Sequence, residues 1–169
     1  MDVGAEYSEY TGDLTRTIPI SGKFSQRQRE IYSYVLEAQQ RVMEICRPGV
    51  MISDLDTEAR LFVERMGYGQ YFYPRISHSL GLEVHDPWFR QATLVPGMII
   101  TVEPGIYIPE ENLGVRIEDD VLVTEYGCNM LSASLPRTIN DIELLMQGKM
   151  GKTIHQKLKK IQEKWQDRR

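Results

Sequence analysis

Cysteine and histidine are scarce in this chain, which has two of the former and three of the latter among 169 residues. Cys46 and Cys128 cannot build a disulfide framework, and neither belongs to a CxxC pair. A disulfide-stapled scaffold and a thiolate-bound structural zinc site are therefore excluded, and both thiols are read as reduced and buried. No apolar run approaches the roughly 18–20 residues needed to span a bilayer. The opening Met1-Asp-Val-Gly-Ala-Glu6 lacks the basic and then apolar segments of a secretory signal. The expectation from these absences is a cytoplasmic protein with no membrane attachment. Positive charge is sparse over most of the chain: residues 1–148 carry twelve Lys/Arg against twenty-two Asp/Glu. Such an acidic body argues against a nucleic-acid surface and suits cation binding.

What is present is an ordinary globular composition, 41% hydrophobic and 26% charged, in a length that suits one domain with a substantial core. Ser25 is placed to cap a helix whose apolar positions Ile31, Tyr34, Val35, Ala38, Val42 and Ile45 recur at helical spacing until Pro48-Gly49. Ser53 is placed to cap a second, with Leu55, Ala59, Phe62, Val63 and Met66 in one stripe and Gly67 closing it. From Tyr71 the pattern changes to short segments separated by Gly and Pro. Val95-Pro-Gly-Met98 reads as a turn into the β-branched run Ile99–Val102, and Val115–Thr124 as its return strand. Residues 148–169 read as a basic amphipathic helix, with Ile154, Leu158, Ile161 and Trp165 on one face. It would pack on the body or fray, or else bind a partner or a second copy.

Four carboxylates fall into two pairs. A turn near Tyr7-Ser8 would put Asp2 opposite Asp13, and one near Glu110-Glu111 would put Glu103 opposite Glu118. Opposed positions on antiparallel strands lie roughly 4.5–5.5 Å apart, where like charges are destabilising. Two such pairs call for cations. Carboxylates alone suit Mg²⁺, Ca²⁺ or Mn²⁺, and one imidazole shifts the choice toward Mn²⁺, Co²⁺, Fe²⁺ or Zn²⁺. Two ions about 3.5–4 Å apart, bridged by carboxylates and a water, would use four acids well and yield a hydroxide nucleophile at neutral pH. His78 and His85 flank a Gly-containing turn, a spacing that sets them at different depths of a site.

The segments Asp2-x10-Asp13-Leu-Thr-Arg-Thr, His78-Ser-Leu-Gly-Leu-Glu-Val-His85-Asp, Pro96-Gly-Met-Ile-Ile-Thr-Val-Glu103-Pro-Gly-Ile-Tyr and Gly114-Val-Arg-Ile-Glu118-Asp-Asp resemble the metallopeptidase family of pita-bread fold. That family includes methionine aminopeptidase, prolidase and aminopeptidase P. Arg16-Thr-Ile-Pro-Ile-Ser-Gly-Lys-Phe24 and Gln28-Arg-Glu-Ile-Tyr32 bring the likeness closest to its Xaa-Pro aminopeptidase branch. The resemblance covers residues 1–147 and implies an α+β pita-bread domain, a curved antiparallel sheet covered by helices. It further implies metal ligands Asp2, Asp13, His78, Glu103 and Glu118, with Asp13 and Glu118 bridging two ions, most simply Mn²⁺. Glu103 would also move the proton of the attacking water. His85 would hydrogen-bond the substrate, and Arg116 would brace the carboxylates. The implied substrate is a peptide with proline second. The alternatives are a prolidase acting on Xaa-Pro dipeptides and a non-catalytic binding module.

Two departures accompany the likeness. The family places a histidine four residues before its metal-ligating one, where this chain has Pro74. The family's catalytic domain also begins well before its first Asp ligand. The expectation is a domain lacking its N-terminal portion, with β-strand edges open to a separately encoded half or to a second copy.

Overall fold

The computed structural model describes residues 1–73, 75–87 and 91–148. Pro74 and, beyond Gly148, the expected C-terminal helix lie outside the described residues.

The chain opens with a hairpin, β1 (Asp2–Tyr7) and β2 (Tyr10–Thr15). Two helices follow, α1 (Gln26–Ile45) and α2 (Ile52–Arg65). Ser25 caps α1 as the sequence suggests: its hydroxyl accepts from Gln28 N at 3.2 Å, and Gln28 Oε1 accepts from Ser25 N at 2.9 Å. The fully buried face is Ile31, Tyr32, Val35, Ala38 and Val42, so Tyr32 replaces the expected Tyr34, which packs only partly against the core. The second helix begins earlier than expected. Met51, not Ser53, is its cap residue, because Asp54 reaches back to accept the Met51 N–H at 3.1 Å. Gly67, at φ 85°, ends it in the left-handed conformation that a side chain resists.

The rest is antiparallel. Strands β3 (Ile99–Val102) and β4 (Gly105–Ile108) run outward, and β5 (Leu113–Arg116) and β6 (Asp119–Val123) return, followed by β7 (Cys128–Met130) and helix α3 (Ile139–Met146). Strands β3-β6-β7 form a three-stranded sheet, and β4-β5 a separate two-stranded one. The expected unbroken return strand Val115–Thr124 is interrupted at Ile117-Glu118, opposite Glu103-Pro104. Proline has no N–H to give the ladder, and Glu118 turns its own N–H away to Thr15 O on β2 at 3.1 Å. Residues 76–80 line the other edge of β3 through Leu80 N to Ile99 O, Thr101 N to His78 O and Glu103 N to Ile76 O, at 2.8–3.1 Å. The break thus gathers β2, β3, β6 and the 76–80 segment at one place. Helix α1 lies on these strands and α2 packs against α1, in one core with Ile76, Ile100, Val102, Ile106, Val115, Ile117 and Val121. No described helix is long and apolar enough to cross a membrane.

The first hairpin differs from expectation. Its turn is Ser8-Glu9, both in the left-handed region (φ 52° and 70°), which closes a two-residue loop between Tyr7 and Tyr10. Asp2 therefore faces Thr15, and Asp13 faces Gly4. The slip is two residues, and the side-chain period is two, so Asp2, Asp13 and Thr15 still share a face.

Candidate metal centre

The 76–80 ladder fixes His78 by its backbone, and its N–H donates to Thr101 Oγ1 at 3.1 Å. Its Nδ1 lies 3.0 Å from Ser79 O. A carbonyl only accepts, so Nδ1 carries the proton and Nε2 presents a lone pair. That lone pair points at carboxylates: Nε2 is 3.4 Å from Glu103 Oε1 and 3.6 Å from Asp13 Oδ2. Ligand atoms of Asp13, His78 and Glu118 all lie within 4.8 Å of one another. The ladders on either side pair Val102 with Asp119 and Gly105 with Arg116, which sets Glu103 level with Glu118.

Each glutamate is held by a threonine. Thr101 Oγ1, having accepted the His78 N–H, donates to Glu103 Oε1 at 3.2 Å. Thr15 Oγ1 accepts from Arg116 Nε at 3.3 Å and donates to Glu118 Oε2 at 2.6 Å. A hydroxyl has one proton to give, so each threonine relays a donor toward a carboxylate. Beneath them Arg16 donates to Glu118 O and Thr15 O at 2.6 and 2.9 Å, to Pro136 O at 2.7 Å, and to Asp119 Oδ1 at 2.6 Å. Asp119 is fully buried and also receives Gln39 Nε2 at 3.0 Å and the Ser132 hydroxyl. This buried ion pair carries enough hydrogen bonds to offset its desolvation.

The electrostatics follow from crowding. Burial, then the neighbouring charges of Glu103, Asp13 and Asp2, push Glu118 up to about 8 despite the Thr15 hydroxyl. Burial also raises Glu103, opposed by Thr101 and Arg116, and raises Asp13, with Asp2 adding to it. Asp120, whose Oδ2 accepts the Asp13 N–H at 3.2 Å, is raised to about 6, chiefly by burial. Buried acids that resist ionising together, facing an imidazole lone pair, form a donor set that a divalent cation fits.

Asp2 and Arg116 stand at the rim. The Asp2 side chain is 56% exposed, and its Oδ2 bonds Arg116 Nη2. Arg116 Nη1 also donates to Tyr107 Oη at 3.0 Å. The Tyr107 ring lies so close to Gly105 and Gly114 that a Cβ on either would come within 2.7–2.8 Å of it. Those two glycines were the available sign of Tyr107, which sequence reasoning missed along with Thr15, Thr101, Arg16 and Asp120. His85 sits exposed above the buried His78, with ring centroids 4.3 Å apart. Its loop is drawn in by Asp86, which accepts the Glu83 N–H at 2.9 Å and leaves no room for a Cβ at Gly81. Thr11 pins the same loop to β2 through Gly81 O. The structure thus brings Asp13, His78, Glu103 and Glu118 together, with His85 and Arg116 beside them and Asp2 outermost.

A buried carboxylate–histidine cluster at the break of an antiparallel sheet, backed by helices, fits the metallopeptidases of pita-bread fold. The chain belongs to metallopeptidase family M24, whose sequence pattern matches residues 1–125. It is 42% identical over 86% of its length to the Xaa-Pro aminopeptidase of Haemophilus influenzae. It is 47% identical over 78% of its length to the Xaa-Pro dipeptidase of Pyrococcus furiosus. The crystal structure of X-Pro aminopeptidase from Thermotoga maritima superposes on 81% of it with a TM-score of 0.76 and 43% identity. The chain spans 41%, 38% and 39% of those three proteins respectively.

Proposed function

We propose that this chain carries the metal centre of a dinuclear peptidase that removes the first residue from peptides with proline second. The carrying observation is the convergence of Asp13, His78 and Glu118 ligand atoms within 4.8 Å, with His78 Nε2 aimed at Glu103 and Asp13. Asp13 and Glu118 would be shared between two ions, with Asp2 on one side and His78 and Glu103 on the other. Mn²⁺ suits this oxygen-rich set with one nitrogen; Zn²⁺, Co²⁺ and Fe²⁺ are the rivals. When bound, such a pair supplies Lewis acidity, activating water and polarising the scissile carbonyl.

The chain's own groups do the rest. Glu103, raised by burial, takes the proton of the attacking water and returns it to the leaving nitrogen. His85, exposed beside His78, donates to the substrate carbonyl as it becomes tetrahedral. Arg116 neutralises Asp2 and orients it. The cytoplasm is read as this chain's working compartment.

The test is metal content by mass spectrometry together with release of the first residue from an Xaa-Pro-Yaa tripeptide, with Glu103→Ala as control. About two ions per chain and turnover that Glu103→Ala abolishes are expected. A chain that takes up ions without turnover would favour a binding module, or a site finished by a separately encoded half or a second copy. No ion at all would overturn the assignment. The dipeptidase reading has its own support in the 47% identity to the Pyrococcus enzyme, and cleavage confined to Xaa-Pro dipeptides would select it.

A further inference from the structure

At the C-terminal end of α1, the two cysteines come together. Cys46 caps the C-terminal end of α1, and its backbone N–H reaches Met43 O at 3.3 Å. Cys128 opens β7, and its Sγ–H reaches the same oxygen at 3.5 Å. Both cysteines are thus anchored on one carbonyl, which brings their thiols side by side. Both are free; Cys46 is 1% exposed and Cys128 is half-buried. The contact with Cys128, and then burial, push the Cys46 thiol far up, while the same contact draws Cys128 down. The pair is thus asymmetric: a half-buried sulfur that can be reached, and a buried one behind it.

We propose that Cys46 and Cys128 form a redox-active dithiol, which hydroperoxides oxidise to a disulfide fastening α1 to β7. The Cys128 thiolate attacks one peroxide oxygen, the O–O bond breaks, and the other oxygen leaves with a proton as water. Cys128 is then a sulfenic acid. The Cys46 sulfur attacks it, the S–O bond breaks, and the hydroxyl departs with the Cys46 proton as a second water. Two thiols and one hydrogen peroxide become one disulfide and two waters, with two electrons passing from sulfur to peroxide.

The staple would reinforce a joint already present. β7 pairs with β6 at Val123–Cys128, and Gln39 on α1 bonds Val102 O, Ile117 O and Asp119 Oδ2. It would link residues 46 and 128, about half the chain apart, without touching a proposed metal ligand, so oxidation should stiffen the scaffold and leave ion binding unchanged.

The experiment treats the reduced, full-length chain with equimolar hydrogen peroxide, alkylates it, and maps its peptides by mass spectrometry. The expected result is a Cys46–Cys128 crosslink with loss of two hydrogens, reversed by dithiothreitol, and a melting temperature higher by about 5–10 °C. Cys46→Ser should instead accumulate a Cys128 sulfenic acid that dimedone traps. Cys128 oxidised to sulfinic acid while Cys46 stays a free thiol would overturn the proposal, and so would chains joined to each other through Cys128. The mapping is done on the unmutated chain, so a poorly folding variant does not decide the matter.

Discussion

The two carboxylate hairpins look alike in sequence and differ in how they are held. At the inner one, Glu103 and Glu118 each receive a threonine hydroxyl, and Glu118 sits on the Arg16–Asp119 pair. At the outer one, every residue of β1 is exposed, and among the described residues Asp2 has Arg116 alone to steady its carboxylate. Asp13 belongs to both: its strand is the first hairpin's, but its backbone is tied to Asp120 and its carboxylate faces His78. The lesson is that a ligand's position depends on what stands behind it, not on the strand it occupies.

The largest effect should come from the base of the inner hairpin. Asp119→Ala leaves the buried Arg16 without its counter-charge and should cost about 3–5 kcal/mol, lowering the melting temperature by roughly 10 °C in a thermal scan. The pH dependence of the metal-free chain comes next. Glu118 ionises near 8 when folded against an ordinary 4.5, so the folded chain binds more protons between those values. Stability is full below about pH 4.5 and is lost as pH rises through about 8. Urea midpoints measured across that window should fall with pH, and saturating Mn²⁺ should abolish the fall. A smaller change is Thr15→Val, which removes the 2.6 Å hydroxyl contact to Glu118 and should weaken divalent-ion affinity about tenfold in calorimetry. Smallest of all, Val3→Ser on exposed β1 should move stability by less than about 0.5 kcal/mol. A large loss there would mean the outer hairpin is braced after all.

Both helices were legible from apolar spacing, and the α1 cap was legible because Ser25 and Gln28 stand at capping-box distance. The inner hairpin was legible because β-branched runs flank a single Pro-interrupted break, which leaves one register that buries them. The outer hairpin misled. Ser8 and Glu9 take left-handed conformations that no glycine signals, so the turn lies one residue later than composition suggests. Thr15 and Thr101 were invisible for a related reason: a threonine in a strand is ordinary, and its bond to a glutamate exists only once the register is set. Asp119 lies in the expected return strand Val115–Thr124, but nothing in that strand's sequence named Arg16 as its partner. Tyr107 depended on two glycines whose packing role appears only in three dimensions.

The central claim is that the braced cluster, not the exposed Asp2, is the seat of the metal. Calorimetric titration of Mn²⁺ into the chain, Asp2→Asn and Glu118→Gln tests it directly. The account predicts about two sites in the unaltered chain, retention of one ion by Asp2→Asn, and loss of both by Glu118→Gln. Binding that survives Glu118→Gln unchanged, or that vanishes with Asp2→Asn alone, would contradict it.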